Sequence, residues 1–253
     1  MNNNGEKSLL DVIDIPKEMD YVIAYIDLLG TKDLLAKSSE QNIFENIYYP
    51  FLLAGKIVPT MRELNWDKFK IKIFSDNILI AYPVKNVDDK NSVCAAYEEM
   101  GKLLRLFLPI LINHGFLFRG AITVDKLFIN DIMVWGKGLS SVVHLEETVA
   151  IYPRLIISED LLNIFDFFGL DSEDFEYEFS CLKDFDDCIF FDFCPYHDSE
   201  TMDSLLKSAR AHIKAKIQTG ASPRIMQKYK WFRNYIEIAA EIYSGVKQNA
   251  ESL

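Results

Sequence analysis

Tyr21-Val-Ile-Ala-Tyr-Ile-Asp27-Leu-Leu-Gly30 is an apolar run of β-branched and aromatic residues that ends in a carboxylate and a glycine. That composition fits a buried strand. An acid where such a strand ends needs a partner, and a divalent cation is a good one. A second acid stands in a matching context, because Lys70-Ile-Lys-Ile-Phe-Ser75-Asp76-Asn77-Ile-Leu-Ile-Ala81 reads as two short strands meeting at a Ser-Asp-Asn tip. If the two regions are neighbours in a sheet, both carboxylates reach one point. Hard oxygen ligands there would hold Mg²⁺ or Mn²⁺ and leave coordination for water and phosphate oxygens. Each acid also has a local role open to it, Asp27 as the cap of a helix starting near Thr31 and Asp76 as a turn residue.

Outward from these strands, residues 1 to about 16 are polar and read as a loosely ordered arm. Helical spacing runs from Thr31 through Met61, and a long helix is predicted over 87–113. Gly115 to Thr123 reads as a strand, with Lys126 to Trp135 as its hairpin partner. A helix follows over 138–150, then a short strand over 152–157, and Ser158-Glu-Asp160 has the composition of a helix N-cap. Strands are predicted over 179–183 and 188–193. From Ser199 the pattern is helical to the end, with a break at Gly220-Ala-Ser-Pro223. This order suggests an α+β sheet of the ferredoxin-like kind with helices on one face, followed by a C-terminal helical hairpin. The expected divisions are an N-terminal arm over 1–18, a catalytic domain over 19–197 and a helical appendage over 198–253.

A net charge of −11 in 253 residues argues against a surface that coats nucleic acid, which needs basic excess, and leaves room for a small nucleotide pocket. Cys94, Cys181, Cys188 and Cys194 form no CxxC pair. A zinc site with His197 fits no common ligand spacing, so the cysteines read as free thiols in a reducing cytosol. The most apolar stretch, Leu103 to Phe118, is too short to span a bilayer and carries Arg105, Pro109 and His114. The expected location is the cytoplasm, with no nucleic-acid or membrane partner.

Several short motifs, in order, resemble a class III nucleotidyl cyclase catalytic domain over about 20–195. Asp27-Leu28-Leu29-Gly30 matches the family's first metal motif, and Ser75-Asp76 its second metal acid at a hairpin tip. Phe118-Arg119-Gly120-Ala121-Ile122, Val134-Trp135-Gly136 and the helix Leu139 to Glu146 follow as they do in the family. The chain looks most like the pyrimidine cyclases of bacterial antiphage Pycsar systems. Phe74-Ser-Asp-Asn77, Leu145-Glu146, Ala150-Ile-Tyr-Pro-Arg154 with Ile156-Ile157-Ser158, and Lys228-Tyr-Lys-Trp231-Phe-Arg-Asn-Tyr235 carry that closer likeness.

The resemblance implies a homodimeric enzyme with composite sites and two Mn²⁺ or Mg²⁺ ions per site, held by Asp27, Asp76 and the Leu28 carbonyl. The amides of Leu29, Gly30, Thr31 and Lys32 would hold phosphate oxygens, with Lys32 adding charge. Counting from Trp135, the family's ribose Asn and transition-state Arg positions are Ser140 and His144. Lys72 keeps the base-reading position, Met133 replaces its acidic companion, and Arg119 and Lys183 are further phosphate candidates. The implied product is a 3′,5′-cyclic pyrimidine nucleotide, with UTP favoured over CTP, which activates a separate effector protein. A purine cyclase and a non-catalytic nucleotide-binding module are the alternatives.

Overall fold

The computed structural model describes residues 17–31, 52, 64–165, 180–195 and 198–251. The N-terminal arm to residue 16, nearly all of the helix expected over Thr31 to Met61, Lys32 and His197 lie outside the described residues. β1 (Met19–Leu29) is an interior strand of the sheet. Its residues 21–26 are all buried, as a run of Val, Ile, Ala and Tyr requires when a sheet is covered on both faces. β2 (Lys70–Phe74) and β3 (Asn77–Pro83) form the expected hairpin, with Phe74 opposite Asn77. Ser75 takes a left-handed φ of 58° at its tip, a conformation glycine adopts more readily.

α1 (Lys90–Asn113) is capped by Asp89, whose side chain accepts from the Ser92 amide at 3.1 Å. β4 (Leu117–Ile129) pairs with β1 along its whole length, from Leu29↔Leu117 to Met19↔Leu127. That pairing corrects the predicted hairpin: one strand of 13 residues continues through 124–129, and β5 (Val134–Trp135) is only two residues long. Burial of Val124 and Leu127 against the start of β1 keeps the chain extended where local sequence suggested a turn. α2 (Lys137–Thr148), β6 (Leu155–Ile157) and α3 (Glu159–Ile164) follow. The Ser158 cap of α3 is present, its hydroxyl accepting from the Leu161 amide at 3.2 Å. β7 (Cys181–Lys183) and β8 (Ile189–Phe191) complete a sheet of order β2-β3-β1-β4-β6-β8-β7, with β5 paired to β4 and β6 parallel to β4. α4 (Ser199–Gln218) and α5 (Pro223–Glu251) are the C-terminal pair, and the fold is α+β as expected.

Strand alternation sorts the two faces. Ile23, Tyr25 and Asp27 share one face with Arg119, Ala121, Ile156 and Phe190 through the pairings of β1, β4, β6 and β8. The opposite face carries Phe191, on which α1 packs through Tyr97 and Gly101. The helical layer expected on one face is α1 with α4 against it, joined by His212 donating to the Ile112 carbonyl at 3.0 Å. The face bearing Asp27 carries α2, and Trp231 and Tyr235 of α5 lie against Phe190. The buried Leu205, Ile213, Phe232 and Ile236 of the C-terminal pair belong to the same hydrophobic core as the sheet. No described helix is long and apolar enough to cross a membrane.

Candidate active site

Register sets the site. Asp27 of β1 lies between Asn77 of β3 and Arg119 of β4, so three polar side chains stand abreast on one face. The Leu28 amide donates to the Asp76 carbonyl at 2.8 Å, which ties the β2–β3 tip to the end of β1. Gly30 takes φ +85° and lets the chain turn back. The Thr31 hydroxyl then donates to Asp76 Oδ2 at 2.8 Å. The two acids that the sequence put at strand ends are therefore brought to one place.

A third acid joins them. Arg119 Nε donates to Asp27 Oδ2 at 3.1 Å, while Arg119 Nη2 pairs with Glu146 Oε1 of α2 at 2.6 Å. Glu146 arrives there because α2 packs tightly on the sheet. A Cβ at Gly138 would stand 2.4 Å from Ile23 Cδ1 and 3.0 Å from the Lys126 carbonyl oxygen, so glycine favours this close approach, and Glu146 follows two turns later on the same side. Tyr25 completes the floor, its hydroxyl donating to Asn77 Oδ1 at 2.7 Å.

The electrostatics are those of an acid-rich, half-buried spot. Burial pushes the Asp27 carboxyl up; Arg119 opposes this, and the charge of Asp76 adds to it. Glu146 is pushed up by burial and by Asp27, again against Arg119. Burial, then the charges of Glu146, Asp27 and Asp76, push the Tyr25 phenol up to about 12. A divalent cation relieves this carboxylate repulsion. No three His, Cys, Asp or Glu side chains form a ready ligand cluster among the described residues. Mg²⁺ or Mn²⁺ nonetheless fits the donors present, since such ions are commonly held by one or two carboxylates plus substrate phosphates. Arg119 Nε engages Asp27 through Oδ2.

The remaining expected residues divide. Ser140 and His144 are exposed on the side of α2 away from Glu146. With Trp135, Leu139, Val143 and Glu147 they line an open groove of about 560 Å³. Within one chain the structure does not bring them to Asp27. Lys72 donates to the Asp131 carbonyl at 2.9 Å, so it reaches the loop that bears Met133. Lys183 is exposed on the edge strand β7 and pairs with Asp187 at 2.8 Å. Four strand spacings separate β7 from β1, roughly 19 Å. Sequence reasoning named Glu146 and Lys228 of α5 only within segments of family likeness and gave neither a chemical role, yet the charge of Lys228 reaches Asp27. The signal for Glu146 was a lone acid on the Gly138–Val142–Glu146 stripe, which a four-residue spacing turns toward the core.

No family model matches the chain, and no curated protein matches it. Among solved structures it is similar to the guanylyl cyclase Cya2, with 15% identity and a TM-score of 0.41 over 59% of this chain and 79% of that one. It is similar to the catalytic core of a rhodopsin-guanylyl cyclase with converted specificity, in complex with ATPαS, at 13% identity and TM-score 0.44, over 60% and 83% of the two chains. A class III adenylyl cyclase-like ATP-binding protein from Pseudomonas aeruginosa gives 12% identity and TM-score 0.45, over 75% of this chain and 41% of that one. Residue roles in the present chain rest on its own geometry.

Proposed function

We propose that this chain is a metal-dependent nucleotide cyclase that converts a pyrimidine nucleoside triphosphate, UTP before CTP, to the 3′,5′-cyclic monophosphate and pyrophosphate. The observation that carries this reading is the meeting of Asp27 and Asp76, joined by the Leu28–Asp76 backbone bond, where burial and, to a lesser extent, the charge of Asp76 push Asp27 up. Asp27, Asp76 and the Leu28 carbonyl are the proposed metal ligands. Bound ions would lower the pKa of the ribose 3′-OH and neutralise the triphosphate as the 3′-oxygen displaces pyrophosphate from the α-phosphorus. The chain's own part is positioning: Arg119 orients Asp27, Glu146 holds Arg119, and Thr31 fixes Asp76.

The outward position of Ser140 and His144 on α2 supports a homodimer in which these side chains enter the partner's site. The groove beside them and the exposed Ile132, Met133 and Trp135 supply an apolar surface of the kind that dimers bury. Lys72 beside the Met133 loop supports uracil over adenine. Met133 offers an exocyclic amine only a weak thioether acceptor in place of a carboxylate, whereas Lys72 donates to a carbonyl, of which uracil has two. In this reading the cyclic nucleotide is a second messenger in antiphage defence, acting on a separate effector in the cytoplasm.

The test is incubation of the purified protein with Mn²⁺ and each of the four ribonucleoside triphosphates. The expected result is cUMP as main product, with Lys72→Ala eroding base preference more than basal rate. Highest kcat/KM with ATP would overturn the pyrimidine assignment and keep the cyclase, while no cyclic product from any nucleotide would overturn both.

A further inference from the structure

The C-terminal helix α5 reaches the acid cluster. Trp231 stacks on Tyr152 with ring centroids 5.9 Å apart and an interplanar angle of 22°, and its indole donates to Asp184 at 2.8 Å. Tyr235 donates to the buried Asp192. These contacts lock the helix rotation. Lys228 lies one turn before Trp231, on the same side of the helix. Ala150, two residues before Tyr152, accepts from Arg119 Nη1 at 3.4 Å. The Trp231–Tyr152 stack therefore sets Lys228 down beside Arg119.

Lys228 is half-buried there, and among the described residues its ammonium makes neither a hydrogen bond nor an ion pair. Burial, with Arg119 and Arg224 nearby, pulls the ammonium down, against the pull of Asp27 and Glu146. A half-buried cation near two guanidinium groups is poorly solvated, and Asp27 and Glu146 balance it only through space, with no direct ion pair among the described residues. An anion of several charges meets that need.

We propose that Lys228, with Arg224 one turn earlier, is a polyphosphate seat: it binds the β- and γ-phosphates of the nucleotide on the side opposite the metal acids. The assignment deepens the cyclase reading and rests on it. It also gives the helical pair a place in the site, because the β7 lysine, Lys183, is held at the sheet edge.

The probe is inorganic tripolyphosphate with Mg²⁺, titrated calorimetrically into the full chain. Wild type is expected to bind it, and Lys228→Met to weaken binding roughly tenfold to a hundredfold, the range for a charge-assisted hydrogen bond. Lys228→Arg should stay within about threefold, because a cation is retained. Arg224→Met, at an exposed position, should weaken binding by a smaller factor and serves if Lys228→Met does not fold. Lys230→Met, on an exposed part of the same helix, should bind as wild type. Unchanged binding in both Lys228→Met and Arg224→Met, an equal loss in Lys230→Met, or no tripolyphosphate binding by wild type would each overturn the seat. The two readings fail separately. Lys228-dependent binding without any cyclic product breaks the cyclase assignment alone, whereas cyclic product with unchanged KM in Lys228→Met breaks the seat alone.

Discussion

Arg119 and Arg154 sit almost side by side, since the Gly120 amide donates to the Arg154 carbonyl at 3.1 Å, and each grips two carboxylates. Arg154 is fully buried. It pairs with Asp184 and Asp186 and lies over the rings of Tyr152, Phe190 and Trp231. Its acids have further donors, Trp231 Nε1 and the Phe185 amide on Asp184 and the Cys188 amide on Asp186. Burial works upward on Asp186, yet the Arg154 bond and charge hold it below the ordinary carboxylate range. Arg119 is partly exposed, and its acids, Asp27 and Glu146, are both pushed up. The same three-residue chemistry thus has well-bonded carboxylates in one place, with Arg154 Nε left without a hydrogen-bond partner among the described residues, and is crowded with charge in the other. A well-bonded cluster holds a fold together. A crowded one on an open face is suited to binding a cation.

The largest effect should come from emptying the crowded cluster of its ligands. Asp27→Ala or Asp76→Ala is expected to lower turnover at least a thousandfold, consistent with several kcal/mol of transition-state charge stabilisation, while the fold survives. A variant that forms product at near wild-type rate would remove both acids from the site. Next comes the well-bonded cluster. Arg154→Met removes a fully buried cation from the half-buried Asp184 and the more exposed Asp186, and breaking such a pair costs about 3–5 kcal/mol. For a chain of this length that lowers Tm by roughly 6–20 °C in a thermal melt. A change of under about 2 °C would mean that Arg154 does not anchor α5 through its acids.

A smaller, quantitative effect tests the assembly around the crowded cluster. Mixing an Asp27→Ala chain with one carrying Ser140→Ala and His144→Ala should restore at most about a quarter of wild-type activity, because half the random dimers have one complete site. No restoration in mixtures shown to exchange subunits would place Ser140 and His144 outside the reaction. The smallest effect concerns pH. The Asp27 carboxyl is raised in the folded state, so the native protein binds more protons than the unfolded chain from the ordinary carboxylate range up to the raised value. In that window the contribution of Asp27 makes metal-free stability rise as pH falls. Asp27→Asn removes the dependence. Its Tm at neutral pH should equal wild type or exceed it by about 2 °C, with the difference shrinking on acidification. A widening difference would show that Asp27 is not crowded.

Most of the sheet was legible in the sequence, because β1, β2, β3 and the Ser158 cap each follow from local composition and spacing. The long reach of β4 was not, since residues 124–127 stay extended through pairing with β1, a partner about a hundred residues away. The two strand-end acids were equally legible. Glu146 and Lys228 were not, because each becomes part of the site only through docking of its helix. Gly138 allows the approach of α2, and the Arg154 cluster with its aromatic rings fixes α5.

By itself the sequence determined which strands are buried, where they end, and that carboxylates stand at two of those ends. Alternation, β-branching and turn residues are properties of neighbours in the chain. Tertiary structure alone decided that Arg119 would neutralise part of that acid pair while Arg154 closed a structural hub beside it. Two arginines with similar local surroundings differ only in what the fold brings against them. Burial and partner geometry, which no local pattern encodes, shift the proton affinity of their acids in opposite directions.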